Sequence, residues 1–452
     1  MNRELEAEYE KVSPRQPAAS EAGAGRQTEG LRRRSTESNA MTRAVTARSF
    51  RLEGIEAGRQ AAREAASKLG STDADLVLVF ATAGYDHPQV LQGVTEIFAH
   101  SPLSGCSVEG VITDDGSSED THVVAVMALA SPVFDVATFL AGGVTDDIEA
   151  CTQSVIDEVG QERLADGGLM LVFPPGLTSN TRELLETFDE RLPDSVVISG
   201  GGASNILSSG PPNENPTVQF RGQQTATHHV AGVFISGDFD TEIAVSHGCV
   251  PIGLERTVTR ARGPVVEEID GQPAWEIFKR YLPRVDDARE AVDLIHLSVG
   301  VKLPDELAED YGDYLIRSPS VIDEEQNSLF FPGGVDEGAE ISMVLREPDR
   351  IADDARRCAR GLRQRRDEEP AFVLQFDCAG RGRFLFGQET TAKAIDPLRQ
   401  QFGDDVTWFG FHPFGEIAPL GNRAYFHNYT VVLCAVYPNK RRSKKADRGS
   451  AR

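Results

Sequence analysis

Cys106 and Cys378 both fall just after predicted strand ends, the position at which open α/β sheets present ligands. A thiol there can act as a nucleophile if a base and oxyanion donors adjoin it, and His427, Asn428 and His412 are the candidate partners. It can equally contact a ligand, or lie buried as a structural thiol. Arg381, in CAGRG, follows the same strand end as Cys378. A guanidinium fork on a glycine-flanked loop suits bidentate capture of a carboxylate, or a structural salt bridge to Glu416 or another acid. Glu416 could hold a ligand ammonium, and with Arg381 would suit a zwitterion such as an amino acid. Gly200, Gly201 and Gly202 follow a strand, where successive backbone N–H groups can converge on an anion or simply make a tight turn. His427 and Asn428 precede the final strand, and either could orient a site or satisfy buried backbone groups.

Several chemistries are excluded. The run from Gly105 to Gly110 has the spacing of a phosphate-binding loop, but Val111 and Ile112 stand where Lys and Ser/Thr would hold phosphate and magnesium. The six cysteines are never closer than 20 residues and form no CxxC pair, and HExxH is absent. Zinc fingers and disulfide frameworks need tighter spacing, so reduced thiols, no metal and no cofactor are expected.

The elements that must position these residues recur. LVLVF at 76–80 leads through a helix-patterned stretch to a short strand ending in SGCSVEGVI, and VVAVMALA makes a further strand. LMLVF at 169–173 is followed by the helical SNTRELLETFDERL, then VVIS running into GGGAS, and the strand VAGVFIS. FVLQF at 372–376 precedes TTAKAIDPLRQQF, VTWFGFHPFGEI and YTVVLCAVY. A fainter copy runs from LIHLSVGV to ISMVLRE. Gly105, Gly110 and Ile112 match Gly410, Gly415 and Ile417 in spacing. Buried strands alternating with helices predict a two-domain α/β fold with mixed sheets of repeated βαβ-like units and extra hairpin strands. A helix is predicted over Leu52–Leu69, and the acidic stretch 303–340 reads as a loop-rich connection or flap.

With 46 Lys and Arg against 70 Asp and Glu, the 452-residue chain has a formal charge of −24, and positions 51–439 hold 30 basic against 62 acidic residues. So acidic a body repels phosphate backbones and anionic lipid, which argues against nucleic acid or membrane as the main partner. The longest apolar runs fall far short of the roughly 18 residues a membrane span needs, and the charged start is no signal peptide, so a cytoplasmic location is expected. The first 40 residues lack an apolar period and read as disordered, and the basic tail KRRSKKADRGSAR reads as a solvated end or a weak contact for an acidic partner.

GCSVEGVI at 105–112, SGGGASN at 199–205, HGCVPIG at 247–253, VVEEIDGQPAWEIFKRYL at 265–282, FDCAGRGRFLF at 376–386, FGFHPFGEIAP at 409–419 and FHNYT at 426–430 together resemble the FIST proteins. The resemblance runs from about Ala47 to Tyr437. It departs from the usual pattern at Val111, where an acid is common, although Glu109 lies close by. It implies an N-terminal extension over 1–46, a FIST N-terminal domain over 47–265, a FIST C-terminal domain over 266–438 and a tail over 439–452. It implies a sensory module that binds a small molecule such as an amino acid or other small carboxylate and signals through a separate partner protein. The ligand site is then expected among Gly105, Cys106, Ser107, Glu109, Gly200, Gly201, Gly202, Asn205, Cys378, Arg381, Gly415, Glu416, His427 and Asn428. A thiol-dependent hydrolase or transferase using Cys378 or Cys106, and a scaffold binding a protein through its acidic face, are the alternatives.

Overall fold

The computed structural model describes residues 41–205, 216–281 and 297–439. The three apolar runs, in strands Leu76–Thr82, Gly168–Phe173 and Phe372–Asp377, each lie inside a six-stranded mixed sheet. Each has a parallel neighbour on one side, Leu103–Val108, Val196–Gly201 or Thr407–Phe411. On the other side stands an antiparallel neighbour, Val124–Ala130, His229–Gly237 or Val431–Pro438. A second antiparallel strand forms the edge: Arg43–Ser49, Phe134–Gly142 or Phe239–Ser246. Helices His87–Thr95 and Thr181–Arg191 make the parallel crossovers in the first two repeats, and short helical turns between Ala379 and Arg399 do so in the third.

The last two strands of every sheet come from another repeat. The first repeat's hairpin, Val111–Thr113 with Gly116–Ser118, joins the third sheet by placing Val111 and Ile112 opposite Phe411 and Gly410. The second repeat's hairpin, Gln219–Arg221 with Gln224–Ala226, joins the first sheet opposite Cys106, Gly105 and Ser104. The third repeat's hairpin, Glu416–Leu420 with Arg423–His427, joins the second sheet, Glu416 opposite Gly201 and Ile417 opposite Gly200. The exchange closes a ring, so no repeat completes its sheet alone. Gly105, Gly200 and Gly410 hold one register position, where a Cβ would stand 1.8, 2.2 and 1.7 Å from the carbonyl oxygens of Val79, Val172 and Gln375. Only glycine allows that approach.

Alternation along each strand sends one face to a shared core and the other to covering helices. Phe80, Phe173 and Phe376, the last residue of each apolar run, meet in that core around Phe411, whose ring centroid lies 4.5, 6.0 and 5.4 Å from theirs. On the outer faces lie helices Gly54–Leu69, Ile148–Val159 and Pro348–Arg363, among others. The first of these starts two residues later than the apolar pattern suggests, because the Glu53 carboxylate accepts from the N–H groups of Ile55 and Glu56 and so fixes the cap.

Within the third repeat, between its edge strand and helix Pro348–Arg363, the chain inserts a fourth, antiparallel sheet. Val250–Arg262 runs along it, with Val265–Ile269, Val299–Lys302, Tyr314–Arg317, Ser328–Phe330 and Glu340–Leu345, over a core that includes Trp275, Phe278 and Phe331. Residues 303–340, read above as a loop-rich connection or flap, therefore carry a helix, Asp305–Tyr311, which holds several of the stretch's acids, and three strands; their glycines and prolines lie between these elements. The fainter copy is not a repeat either: Val299–Lys302 has antiparallel neighbours on both sides, Tyr314–Arg317 and Glu340–Leu345, and lacks the parallel neighbour that each repeat's apolar strand has. The sheet draws on residues from both sides of position 265. At the start of the chain, strand Arg43–Ser49 takes in residues assigned above to the extension, because its alternating small side chains pair along Val124–Ala130. The expected disorder over 1–40 and 440–452 lies outside the described residues. Among those described, no helix is long and apolar enough to cross a membrane.

Candidate functional site

The ring topology brings most of the residues singled out in the sequence into one neighbourhood. Gly105, Cys106 and Ser107 lie inside the parallel strand of the first repeat, Leu103–Val108, so Cys106 does not follow a strand end as expected; Gly200 and Gly201 end that of the second, and Gly415 and Glu416 open the hairpin of the third. The Gly202 N–H donates to the Gly415 carbonyl at 2.8 Å, the Ser204 N–H to that of Ser107 at 3.0 Å, and the Glu109 N–H to the Ser204 hydroxyl at 2.7 Å. Asn205 is buried. The Ala203 N–H is spent on Pro174. With those donors engaged, the glycine run is a tight backbone junction and does not form an anion-binding nest.

Arg381 and Glu416 do not pair. Arg381, 1% exposed, donates from Nε to Asp377 Oδ1 at 2.7 Å and from Nη1 to the carbonyls of His247 and Tyr429. Gln375 holds the other Asp377 oxygen at 2.9 Å and is itself fixed by the Trp408 indole N–H at 2.6 Å. Glu416 Oε2 accepts from the N–H and hydroxyl of Thr430 at 3.0 and 2.8 Å, while Oε1 has no hydrogen-bond partner. Burial pushes the Glu416 carboxyl up to about 8 against the pull of the Thr430 bonds, so it holds its proton at neutral pH. The zwitterion clamp expected from these two residues is thus not formed, because Asp377, at the end of the strand just before Arg381, neutralises the arginine.

Burial pushes both Cys106 and Cys378 well above the ordinary thiol value, the opposite of what a nucleophile needs. His412 Nδ1 donates to the Asp377 carbonyl, and its Nε2 is bonded to the Ser117 hydroxyl, both at 2.8 Å. His427 stands apart from the thiols' bonds: it meets the Tyr311 hydroxyl and the Ala418 carbonyl, each at 3.1 Å, and burial lowers it to about 3. Asn428 accepts from the Ser318 N–H at 3.1 Å and so ties the third repeat to the insert. Among the described residues no group of three or more His, Cys, Asp or Glu could hold a metal ion.

A cavity of about 610 Å³ opens beside this cluster, between helix Thr181–Arg191, the turn of hairpin Glu416–His427 and the inserted sheet. Its wall includes Phe188, Leu303, Leu307, Leu315 and Phe426, with Arg182, Arg317, Asp189 and Asp336. None of the residues singled out in the sequence lines it. What sequence reasoning missed here is Arg317 and the run PGGVD at 332–336. The paired glycines were the available signal: a Cβ at Gly333 would stand 2.8 Å from Arg317 Nε, and one at Gly334 3.0 Å from Arg182 Cδ, so each glycine makes room for an arginine.

The FIST N domain matches residues 75–272 and the FIST C domain residues 274–419. An uncharacterized protein of Mycobacterium tuberculosis is 28% identical over 393 residues, covering 86% of this chain and 97% of its own. One of Mycobacterium bovis is 27% identical over 389 residues, 85% and 95% of the two chains. One of Methanocaldococcus jannaschii is 24% identical over 350 residues, covering 73% of this chain and 64% of its own. Among solved structures, a chorismatase overlaps loosely, with a TM-score of 0.32 and 9% identity over 88% of this chain and 99% of its own. A cyanuric acid hydrolase does so with a TM-score of 0.24 and 10% identity over 46% and 72%. Both domains match in order along most of the chain's length, and the chain belongs to the FIST family, a FIST N domain followed by a FIST C domain.

Proposed function

We propose that this is a sensory protein of the cytoplasm that binds an amino acid or other small carboxylate and passes its signal to a separate partner protein. FIST domains are associated with sensory and signal-transducing proteins that bind small ligands. The observation that carries the reading is the cavity, whose size falls within the usual range of small-molecule sites and whose walls mix apolar surface with a few charged groups. Its walls come from the second repeat, the third repeat's hairpin and the insert. A ligand that touches all three favours the arrangement in which it does so, and the exposed surface of the insert can then report occupancy.

The test is a thermal-shift screen of the full chain against amino acids, organic acids and nucleotides. A saturable rise in midpoint for one chemical class is expected, since a ligand that binds only the folded state stabilises it by mass action. No rise for any compound would overturn the reading and leave protein partnership through the acidic face as the next hypothesis to examine.

A further inference from the structure

We infer that the cavity is an anion site built on Arg317, and that its ligand is a monocarboxylate with a short apolar body; this rests on the sensory reading above. Arg317 ends strand Tyr314–Arg317 and is only 5% exposed. Its Nε donates to the Gly334 carbonyl at 3.1 Å and its Nη1 to the carbonyls of Ile316 and Phe426. These acceptors are neutral. Among the described residues no carboxylate lies within ion-pair distance of Arg317 and no hydrogen bond reaches Nη2, although the residue lines the cavity.

Buried cations are ordinarily paired, because removing a charge from water without a counter-ion is costly. Among the described residues the other buried arginine, Arg381, obeys that rule with Asp377. Arg182, on the same cavity wall, is neutralised by Asp336 and Glu186, both at 2.7 Å. Arg317 alone of the three lacks an acid of its own. Burial lowers it to about 10, so it still carries its charge at neutral pH. A ligand carboxylate at Nη2 would supply the missing partner through a charge-assisted hydrogen bond.

The guanidinium is positioned in advance. Three carbonyl bonds fix it, and Gly333 lets it lie against the backbone, where a Cβ would come within 3.0 Å of Cζ. Phe188, Leu303, Leu307, Leu315, Val335 and Phe426 supply apolar wall for a hydrocarbon body. Five acids line the cavity against Arg182, Lys302 and Arg423 besides Arg317, and this excess of acid repels a second negative charge, which disfavours dicarboxylates and phosphates.

The experiment is calorimetric titration of the full chain with hexanoate and phenylacetate, with their primary amides, and with succinate. Each monocarboxylate should bind about tenfold or more tightly than its amide, as a charge-assisted bond predicts, and succinate more weakly than hexanoate. Arg317→Gln should erase the preference for carboxylate over amide. Because that variant also disturbs three buried carbonyls, Leu307→Trp provides a second arm: it fills the cavity from helix Asp305–Tyr311 without touching Arg317, and should abolish binding. Equal binding of acid and amide, or an unchanged preference in Arg317→Gln with undiminished binding in Leu307→Trp, overturns the site and leaves the sensory reading standing. Failure of both monocarboxylates while another compound class raises the thermal midpoint overturns the ligand class alone. Failure of every compound overturns both.

Discussion

The strand-end cluster and the cavity beside it hold the same residue types in opposite conditions. In the cluster, Arg381 has Asp377, Asp377 has Gln375, Gln375 has Trp408, and the loop donors of Gly202, Ala203 and Ser204 are all spent. At the cavity, Arg317 has three neutral carbonyls and no acid among the described residues. Residues with chemical potential mark a binding site only where their bonding is incomplete. Apart from Glu416 Oε1, the cluster's named polar groups are consumed in joining three repeats, whereas Arg317 at the cavity has no acid among the described residues.

That contrast is tested most severely at Asp377. Asp377→Ala leaves a fully buried guanidinium without a counter-ion and should cost about 3 to 5 kcal/mol in denaturant unfolding. Replacing both partners, Asp377→Leu with Arg381→Met, should recover much of the loss, since an apolar pair needs no compensation. A single-variant loss under about 1 kcal/mol would mean that Arg381 tolerates the same condition as Arg317, and the distinction between the regions would fail.

A smaller effect is expected at Gly333. Its Cβ would press on Arg317 Nε at 2.8 Å, so Gly333→Ala should destabilise by about 1 to 3 kcal/mol and weaken ligand binding together. Gly361→Ala is the control: it lies in helix Pro348–Arg363 with nothing within 4 Å of the added Cβ, and should stabilise by up to about 1 kcal/mol. If both alanines behave alike in circular-dichroism melts, the arginine cradle is not tight.

The three repeats were legible because burying a strand on both faces demands a near-continuous apolar run, and LVLVF, LMLVF and FVLQF stand out for that reason. The hairpin exchange was not, since two- and three-residue pairings across 100 residues or more leave no local period. The insert was misread because its strands, such as Val321–Asp323 and Ser328–Phe330, are too short to show alternation. Glycine spacing at 105 and 410 did encode a structural demand, the backbone approach to Val79 and Gln375. Arg317 carried no signal of its own: it stands in LIRSPS, and its burial depends on carbonyls at 334 and 426 that only the fold brings near.

Glu416 offers a pH test of the cluster. Its carboxyl titrates near 8 when folded and near the ordinary 4.5 when unfolded, so the folded state binds more protons between those values. The stability it contributes is complete below about 4.5 and is lost as pH rises toward 8. Buried histidines oppose this at lower pH: His87 and His247, lowered to about 4, and His427, lowered to about 3, make stability rise with pH up to about 6.5. Between about pH 6.5 and 8 Glu416 therefore dominates among these four, and unfolding free energy should fall by about 1 to 2 kcal/mol. Glu416→Gln should flatten that segment. An equal slope in the variant would mean that the carboxyl is ionised in the fold.

The smallest effect belongs to the cavity's outer pair. Arg182 and Asp336 meet at 2.7 Å, but the side chains are 36% and 71% exposed. Water and salt screen such a pair, so Asp336→Asn should change stability by less than about 1 kcal/mol. Its effect on binding has the opposite sign to that of Arg317→Gln. Removing Asp336 withdraws one repelling charge and one of the two acids that neutralise Arg182, leaving a second arginine beside the Arg317 fork. Affinity for hexanoate should rise a few-fold while affinity for its amide stays constant. A rise for both would point to a widened cavity, and a stability loss above about 2 kcal/mol would make Asp336 part of the frame that holds the insert against helix Thr181–Arg191, aligning this pair with Asp377 and Arg381 and narrowing the difference between the two regions to Arg317 alone.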